Sequence, residues 1–159
     1  SFGRVGRTRA QILVKTPTSL KSIDSDRMVL RPTSASVTYL EGAQWTDTVP
    51  RMVQAKLVEA FENSRRTGAT AKPGDGLVID YQLVSDIRRF DIIPGANGKV
   101  LIEISIKLLA DRSGQVRETR IFKSSTATRG DDAEAYVAAF DNAFDKLAKQ
   151  IISWVTRRI

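Results

Sequence analysis

One segment of this sequence, residues 100–108, carries a large apolar side chain at every second position. Successive side chains of a β-strand point to opposite faces, so this spacing predicts a strand with one buried face. The apolar positions are Val100, Ile102, Ile104, Ile106 and Leu108. A similar alternation precedes it, at Leu77, Ile79, Tyr81, Leu83 and Ile87, with a predicted turn at residues 94–98 between the two. A chain of this kind must pair its strands in a sheet and cover the apolar face.

Two further features concern the same strands. Residues 111–114 (Asp-Arg-Ser-Gly) predict a hairpin turn that leads into a strand from Val116 to Ser125. In the earlier strand, which we expect from Leu77 to Ile92, the alternation changes phase, because Phe90 and Ile92 are apolar at even positions. A β-bulge near Arg88 and Arg89 would return them to the apolar face, and we predict one there.

Two segments have helical spacing. The first runs from Val49 to about Asn63, with Val49, Val53, Leu57, Ala60 and Phe61 on one face. The second follows residues 130–132 and covers roughly 25 residues, or about 38 Å. Its apolar side chains are Tyr136, Val137, Phe140, Phe144, Leu147, Ile151 and Trp154. We interpret this face as packed across the sheet, and the alternative is a partner-binding or lipid-facing surface around Trp154.

Three short strands are predicted before the first helix. They are Gln11 to Lys15, followed by Pro17; Arg27 to Arg31, closed by Pro32; and Ser36 to Leu40. The order of elements predicts an α+β fold, with a largely antiparallel sheet, room for one parallel pairing, and two helices packed on one face. We expect a single domain over residues 10–159, preceded by a flexible N-terminal arm or tether remnant at residues 1–9.

Composition restricts the chemistry. The 159 residues contain no Cys and no His, which excludes disulfides, thiol nucleophiles, imidazole bases and zinc sites built on either side chain. No run of 18 apolar residues occurs. The 25 Lys and Arg against 18 Asp and Glu give a net charge of +7, which favours acidic partners. The basic residues are scattered, so the charge indicates solubility and a mild preference for anions. Because no nucleophile–base pair can be assembled from the sequence, we predict no catalytic residues, and we expect no metal and no cofactor.

Two groups of acidic residues are candidates for a metal or catalytic site. Asp24 and Asp26, with Arg27, could form a metal or catalytic site, but Asp-Ser-Asp at residues 24–26 is ordinary turn chemistry. Asp80 and Asp86 lie six residues apart on one predicted strand, about 20 Å from each other, which is too far for a joint acid–base role.

Other candidates also have a structural interpretation. Arg88 and Arg89 could bind a phosphate or a headgroup, but we interpret them as a solvated pair on an edge strand. The Gly-containing segments 74–76 and 95–98 are interpreted as turns, because neither leads from a strand into a helix N-terminus.

The junction at residues 45–50 (Trp-Thr-Asp-Thr-Val-Pro) lies between a strand and the first helix. Asp47 or Thr48 could accept hydrogen bonds from the free N–H groups of the helix, and Pro50 suits a first turn. Trp45 is interpreted either as a core anchor or as a contact for a partner.

A set of residues and short motifs occurs in a fixed order between about residues 11 and 154. The set consists of Asp26-Arg27, Tyr39, Trp45-x-Asp47-x-x-Pro50, Gln54-x-x-Leu57, Tyr81-x-Leu83, Asp86-Ile87-x-x-Phe90, Ala143-Phe144 and Trp154. In order and spacing, this set resembles the auxiliary lipoprotein component of bacterial ABC-type lipid transporters.

The resemblance implies a non-catalytic periplasmic protein that docks to a membrane-anchored MCE (mammalian-cell-entry) domain subunit and helps lipid transfer between the inner and outer membranes. It also implies an upstream signal peptide, a lipid anchor on an N-terminal Cys, contact with phospholipid or sterol, and possible homo-oligomers. Tyr39, Trp45 and Asp47 are the expected partner or lipid contacts. Two alternatives stay open: a basic module that binds nucleic acid, which the resemblance does not imply, and a general protein-interaction module.

Overall fold

The computed structural model describes residues 9–64, 70–73 and 78–159. The expected flexible arm at residues 1–9 lies outside them, apart from Arg9. The elements are β1 (Ile12–Val14), β2 (Thr18–Ser19), β3 (Arg27–Thr33), β4 (Ser36–Gln44), α1 (Val49–Ser64), β5 (Thr70–Ala71), β6 (Tyr81–Ile93), β7 (Lys99–Ala110), β8 (Val116–Ala127) and α2 (Ala133–Thr156).

Strand β6 is the centre of an eight-stranded sheet. One edge of β6 pairs with β7, and β7 pairs with β8, in two long antiparallel ladders. The other edge pairs in succession with β1, β2 and β3, all parallel to it. β5 extends the sheet beyond β1, and β4 extends it beyond β3. The α+β prediction is confirmed, whereas the single parallel pairing we expected is too few, since four of the pairings are parallel.

The bulge predicted near Arg88 and Arg89 is confirmed. Ile87 lies opposite Ile104 and Arg89 lies opposite Glu103, so Arg88 has no partner on β7. The extra residue changes the phase of β6. As a result the side chains of Leu83, Ile87, Phe90 and Ile92 are all buried in one core.

Several strand limits differ from the prediction, and β4 continues past Leu40 to Gln44. β6 begins at Tyr81 rather than Leu77, which lies outside the described residues, and Val78 is exposed. β3 continues through Pro32 to Thr33. Proline is tolerated there because pairing with β6 ends at Leu30 and the ladder with β4 is irregular between Leu30 and Thr33.

Both helices pack on the same face of the sheet. The predicted apolar face of α2 is confirmed, since Phe140, Phe144 and Ile151 are buried in the core. Asp132 caps the helix by accepting a hydrogen bond from the Ala135 N–H at 2.9 Å. In the described part of the chain, the other face of the sheet carries no helix. Within the described ranges, no helix is both long enough and apolar enough to cross a membrane.

Candidate partner-contact site

The junction between β4 and α1 is held by the turn that precedes β3. The Trp45 N–H donates to the Asp26 carbonyl at 2.6 Å, and the Val49 N–H donates to the Ser25 carbonyl at 3.0 Å. The Ser25 hydroxyl oxygen accepts from the Arg27 N–H at 3.1 Å. Residues 24–27 therefore have the turn role that their sequence suggested. Among the residues described, no group of three acidic side chains is placed to hold a metal ion.

Trp45 belongs to an aromatic cluster between the sheet and α2. Its ring lies edge-on to Phe140, with centroids 5.2 Å apart, and edge-on to Phe90 at 5.8 Å. Phe90 and Phe140 are stacked at 4.6 Å. The Trp45 side chain is partly buried and packs against the hydrophobic core. This arrangement favours the core-anchor interpretation over a free binding side chain.

Asp47 does not cap α1. Its carboxylate accepts a hydrogen bond from the adjacent Thr48 N–H at 2.7 Å and lies 3.3 Å from the Arg51 guanidinium. The first helical N–H instead binds Ser25, and the Met52 N–H binds the Thr48 backbone carbonyl. The capping role predicted for the side chains of Asp47 and Thr48 is therefore wrong. The Asp47 side chain is 43% exposed and accessible to a partner.

Tyr39 lies on the helix-free face of the sheet. It is opposite Val29 on β3, and Val29 is opposite Asp91 on β6. The neighbours of Asp91 in β6, Phe90 and Ile92, point into the helix-side core, so this row of residues points the other way. The Arg27 guanidinium covers the Tyr39 ring at 4.2 Å from its centroid.

The three expected contact residues do not form one cluster. Tyr39 and Trp45 are six residues apart, and a regular strand would place them on the same face. Between them, however, the β3–β4 ladder sets five residues of β4 against two of β3, and Gly42 adopts a positive φ of 77°. This irregularity directs Tyr39 to the helix-free face and Trp45 towards α2.

A buried carboxylate on the helix-free face was missed by the sequence analysis. Asp91 is 1% exposed, and the Arg31 Nε donates to it at 2.9 Å. Arg89 makes a second ion pair with the same carboxylate. The available signal was an acidic residue inside an apolar stretch, two positions from an arginine. The third member, Arg31, comes from a strand whose pairing with β6 the sequence did not reveal.

The interpretation of Arg88 and Arg89 as an edge-strand pair is wrong, because β6 is the central strand. Arg89 is committed to Asp91, and the Arg88 Nε lies 3.8 Å from Asp86. Neither arginine is free of a carboxylate, which removes the main reason to assign them to a phosphate.

Asp80 and Asp86 attach the short parallel strands to β6. The Asp80 carboxylate accepts from the Gln11 N–H at 2.8 Å, next to β1. The Asp86 carboxylate accepts from the Thr18 hydroxyl at 2.8 Å, in β2. Both side chains therefore add a hydrogen bond to the pairing of a short strand with β6.

Known proteins are similar to this chain in sequence. A model of the family described as "ABC-type transport auxiliary lipoprotein component" matches residues 3–152. An uncharacterized protein of Bradyrhizobium diazoefficiens is 33% identical over 145 residues, which are 91% of this chain and 39% of that protein. The chain thus spans well under half the length of that relative.

Solved structures share the fold. A protein from Xanthomonas campestris superposes with a TM-score of 0.89 and 28% identity, over 98% of this chain and 89% of that one. A PelC protein from Paraburkholderia phytofirmans, crystallised as a dodecamer, has a TM-score of 0.59 and 9% identity, over 93% and 90%. At that identity the second likeness concerns the fold alone.

Proposed function

Since this chain belongs to the family of ABC-type transport auxiliary lipoprotein components, we propose that it is a non-catalytic, periplasmic accessory subunit of an MCE-associated lipid transporter. It docks to the MCE-domain subunit and helps lipid transfer between the inner and outer membranes. A lipid anchor upstream of these residues tethers it to a membrane. The family match across residues 3–152 is the observation that carries the proposal.

The chemistry of the described residues supports a non-catalytic role. The buried acid Asp91 is neutralised by two arginines, and the acids Asp80 and Asp86 hold neighbouring strands. These groups have structural partners and do not converge on one cleft. General acid–base and nucleophilic catalysis both require such convergence.

We place the docking surface on the helix-free side of β4. Tyr39 and Val37 are two residues apart there, and Val37 is 44% exposed. β4 pairs with β3 alone among the described strands, so its outer edge is also accessible. A partly exposed aromatic ring beside an exposed aliphatic side chain is a common anchor in protein interfaces. Asp47, at the start of α1, is a second contact, whereas Trp45 supports the surface from the core side.

The domain is a docking component and not a carrier that encloses a lipid chain. The space between the sheet and the two helices is filled by apolar side chains, many of them fully buried, such as Leu57, Ile104 and Leu147. No described apolar helix face is left over to line a tunnel. We therefore expect native mass spectrometry of the purified domain to show no stoichiometric phospholipid or sterol, and a bound lipid at one copy per chain would contradict this part of the proposal.

Capture from membranes tests the proposal. The tagged domain is incubated with detergent-solubilised membranes from cells that express the MCE-domain subunit encoded nearby, and the eluate is identified by mass spectrometry. We expect that subunit, retained at physiological salt. Duplex DNA is offered in a parallel assay, because a nucleic-acid-binding module would instead bind DNA with an affinity that falls steeply with salt. DNA binding without capture of the subunit would replace the transport proposal.

A homo-oligomer is a further part of the proposal. The outer edges of β4 and β8 each lack a paired strand among the described residues, and such edges can pair with another copy. Light scattering coupled to size exclusion measures the mass directly, and a strict monomer at high concentration would exclude self-association of this domain.

A further inference from the structure

The C-terminal half of α2 runs along β8, and two polar contacts fix its alignment. Near the middle of the helix, the Lys146 ammonium donates to the Ser125 carbonyl at 2.6 Å. At the helix end, the Arg158 guanidinium lies 3.2 Å from the Glu118 carboxylate. Moving towards the end of α2 therefore means moving back along β8.

Between these two contacts lies an open cleft of about 380 Å³. Four cationic side chains line it, one from β8, one from α2 and two from the residues that directly follow α2, together with two polar side chains and an indole. The lining residues are Arg120, Lys149, Gln150, Ser153, Trp154, Arg157 and Arg158. No acidic residue lines it, and Glu118 is adjacent but already paired with Arg158.

Three of the four cations have no carboxylate partner. In the described part of the chain, no Asp or Glu lies within salt-bridge distance of Arg120, Lys149 or Arg157. The Arg120 guanidinium lies over the Phe122 ring at 5.0 Å from its centroid, an arrangement that positions it while its in-plane N–H groups can still donate to an anion. Like charges held together in this way repel each other, and a bound anion relieves that repulsion.

The end of a helix attracts cations, so capping of the helix is the alternative explanation for these residues. Other donors already bind the carbonyl groups at the end of α2. Thr156 donates its hydroxyl to the Ile152 carbonyl at 2.8 Å, and the Arg158 side chain donates to the Trp154 carbonyl at 3.1 Å. The Val155 carbonyl accepts the backbone N–H groups of residues 157 and 158. Capping of the helix therefore does not account for the side chains of Arg120, Lys149 and Arg157.

We propose that this cleft binds a phosphate group, of the kind carried by an anionic lipid headgroup or by a small phosphate ester. Arginine forms paired hydrogen bonds with phosphate oxygens, and lysine adds a compact positive charge. The Ser153 hydroxyl lies one helical turn from both Lys149 and Arg157 and supplies a neutral donor on the same side of α2. The buried Trp154 ring, 5.5 Å from Phe122, forms a rigid base for the cleft.

Vesicle binding tests the site. Binding of the domain to phosphatidylglycerol-containing vesicles is compared with binding to phosphatidylcholine vesicles, and Lys149→Gln/Arg157→Gln is compared with Lys99→Gln/Lys107→Gln. The control pair removes the same charge from exposed positions on β7, away from the cleft. At about fivefold per cation near an anionic surface, we expect the cleft pair to lose at least tenfold in affinity and the control pair clearly less.

A titration with inorganic phosphate and glycerol phosphate, followed by amide chemical shifts, identifies the source of the phosphate. Saturable shifts around Ser153, abolished by the cleft pair alone, support the site with a free ester as ligand. Vesicle binding without such shifts supports the site with a lipid headgroup as ligand. Equal loss in both variant pairs, or no binding to phosphatidylglycerol vesicles and to phosphate, would overturn the proposal, as would binding to duplex DNA alone. Capture of the MCE-domain subunit does not depend on this cleft, so the two proposals fail separately.

Discussion

The indole of Trp45 meets the ring of Phe140 edge-on, with centroids 5.2 Å apart and ring planes inclined at 76°. This contact joins the segment that follows β4 to the N-terminal half of α2, although the two residues are almost a hundred positions apart in sequence. Phe90 completes the cluster from the sheet. The relationship explains why a tryptophan stands immediately before α1: it fixes the strand-to-helix junction against the rest of the core.

Replacement of this tryptophan should therefore affect stability first. We expect Trp45→Ala to lower the free energy of unfolding by about 3 kcal/mol, towards the small end of the range for large aromatic truncations because the side chain is only partly buried. Urea unfolding followed by circular dichroism measures the change. Trp45→Phe keeps an aromatic ring in the cluster and should lose clearly less. Equal stability of Trp45→Ala and the parent would mean that the cluster does not anchor the junction.

The packing of α2 gives a second prediction. Phe144 is 4% exposed and lies in the core between the sheet and the helices. Phe144→Ala should cost about 3–5 kcal/mol, from lost burial and the cavity left behind. Asp145→Ala changes the adjacent exposed position and serves as the control in the same urea series. A Phe144→Ala variant that melts within a degree of the parent would contradict the role of α2 as a core element.

Local patterns in the sequence predicted the elements that local physics determines. The alternation at residues 100–108 depends only on strand geometry, and the phase change after Ile87 locates the bulge without any knowledge of the neighbouring strand. The apolar spacing of α2 likewise reports one buried helix face. These features were predictable because each follows from side-chain direction within a single element.

Features that depend on pairing between distant segments were not predictable in this way. Pairing of β1, β2 and β3 with successive parts of β6 is settled by tertiary contacts, as in the hydrogen bond between Thr18 and Asp86. The burial of Asp91 depends on Arg31 arriving from β3. The separation of Tyr39 from Trp45 depends on an irregularity at Gly42, whereas a regular strand would place both side chains on one face.

The buried ion pairs of Asp91 give a third prediction. Removal of one partner from a buried charge group leaves uncompensated charge, so Asp91→Ala should cost about 3 kcal/mol, moderated by the partial exposure of Arg31 and Arg89. Asp86→Ala, whose carboxylate is half exposed, is the matched control and should cost less than about 1 kcal/mol. Urea midpoints at low and physiological salt compare the two. Equal losses of stability in both variants would show that the burial of Asp91 adds nothing to the strength of its ion pairs.

Alkaline pH should act through Tyr136. Burial raises the pKa of its phenol above the ordinary value of 10.0, and the nearby carboxylates of Asp131 and Asp132 raise it further. The folded state therefore holds this proton more tightly than the unfolded chain. The associated stability is fully present below pH 10 and is lost as the pH rises through the raised folded pKa.

Tyr136→Phe removes this titration while keeping the ring. Urea unfolding of both proteins at pH 8 and at a pH above 10 isolates the effect, because the two proteins differ only in this hydroxyl group. We expect the parent to lose more stability than Tyr136→Phe over that interval. Parallel loss in both proteins would show that the Tyr136 pKa is not raised by folding.

The docking surface gives the last prediction. If the MCE-domain subunit binds the helix-free side of β4, Tyr39→Ala should weaken the complex by about 2 kcal/mol or more, as expected for an aromatic anchor at the centre of an interface. Tyr39→Phe keeps the ring over which Arg27 lies and should retain most of the affinity. Binding is measured by surface plasmon resonance with folded variants, each checked by circular dichroism, since the loss must be separated from unfolding.

Trp45→Phe is the control from the other face of the sheet, because its ring packs against Phe140 and not towards the proposed partner. We expect it to bind as the parent does. Raising salt from low to physiological strength should weaken the complex far less than it weakens a protein that tracks phosphates along DNA. Unchanged affinity of Tyr39→Ala would move the docking surface away from β4. Loss with Trp45→Phe but not with Tyr39→Ala would place it at the junction before α1, beside Asp47.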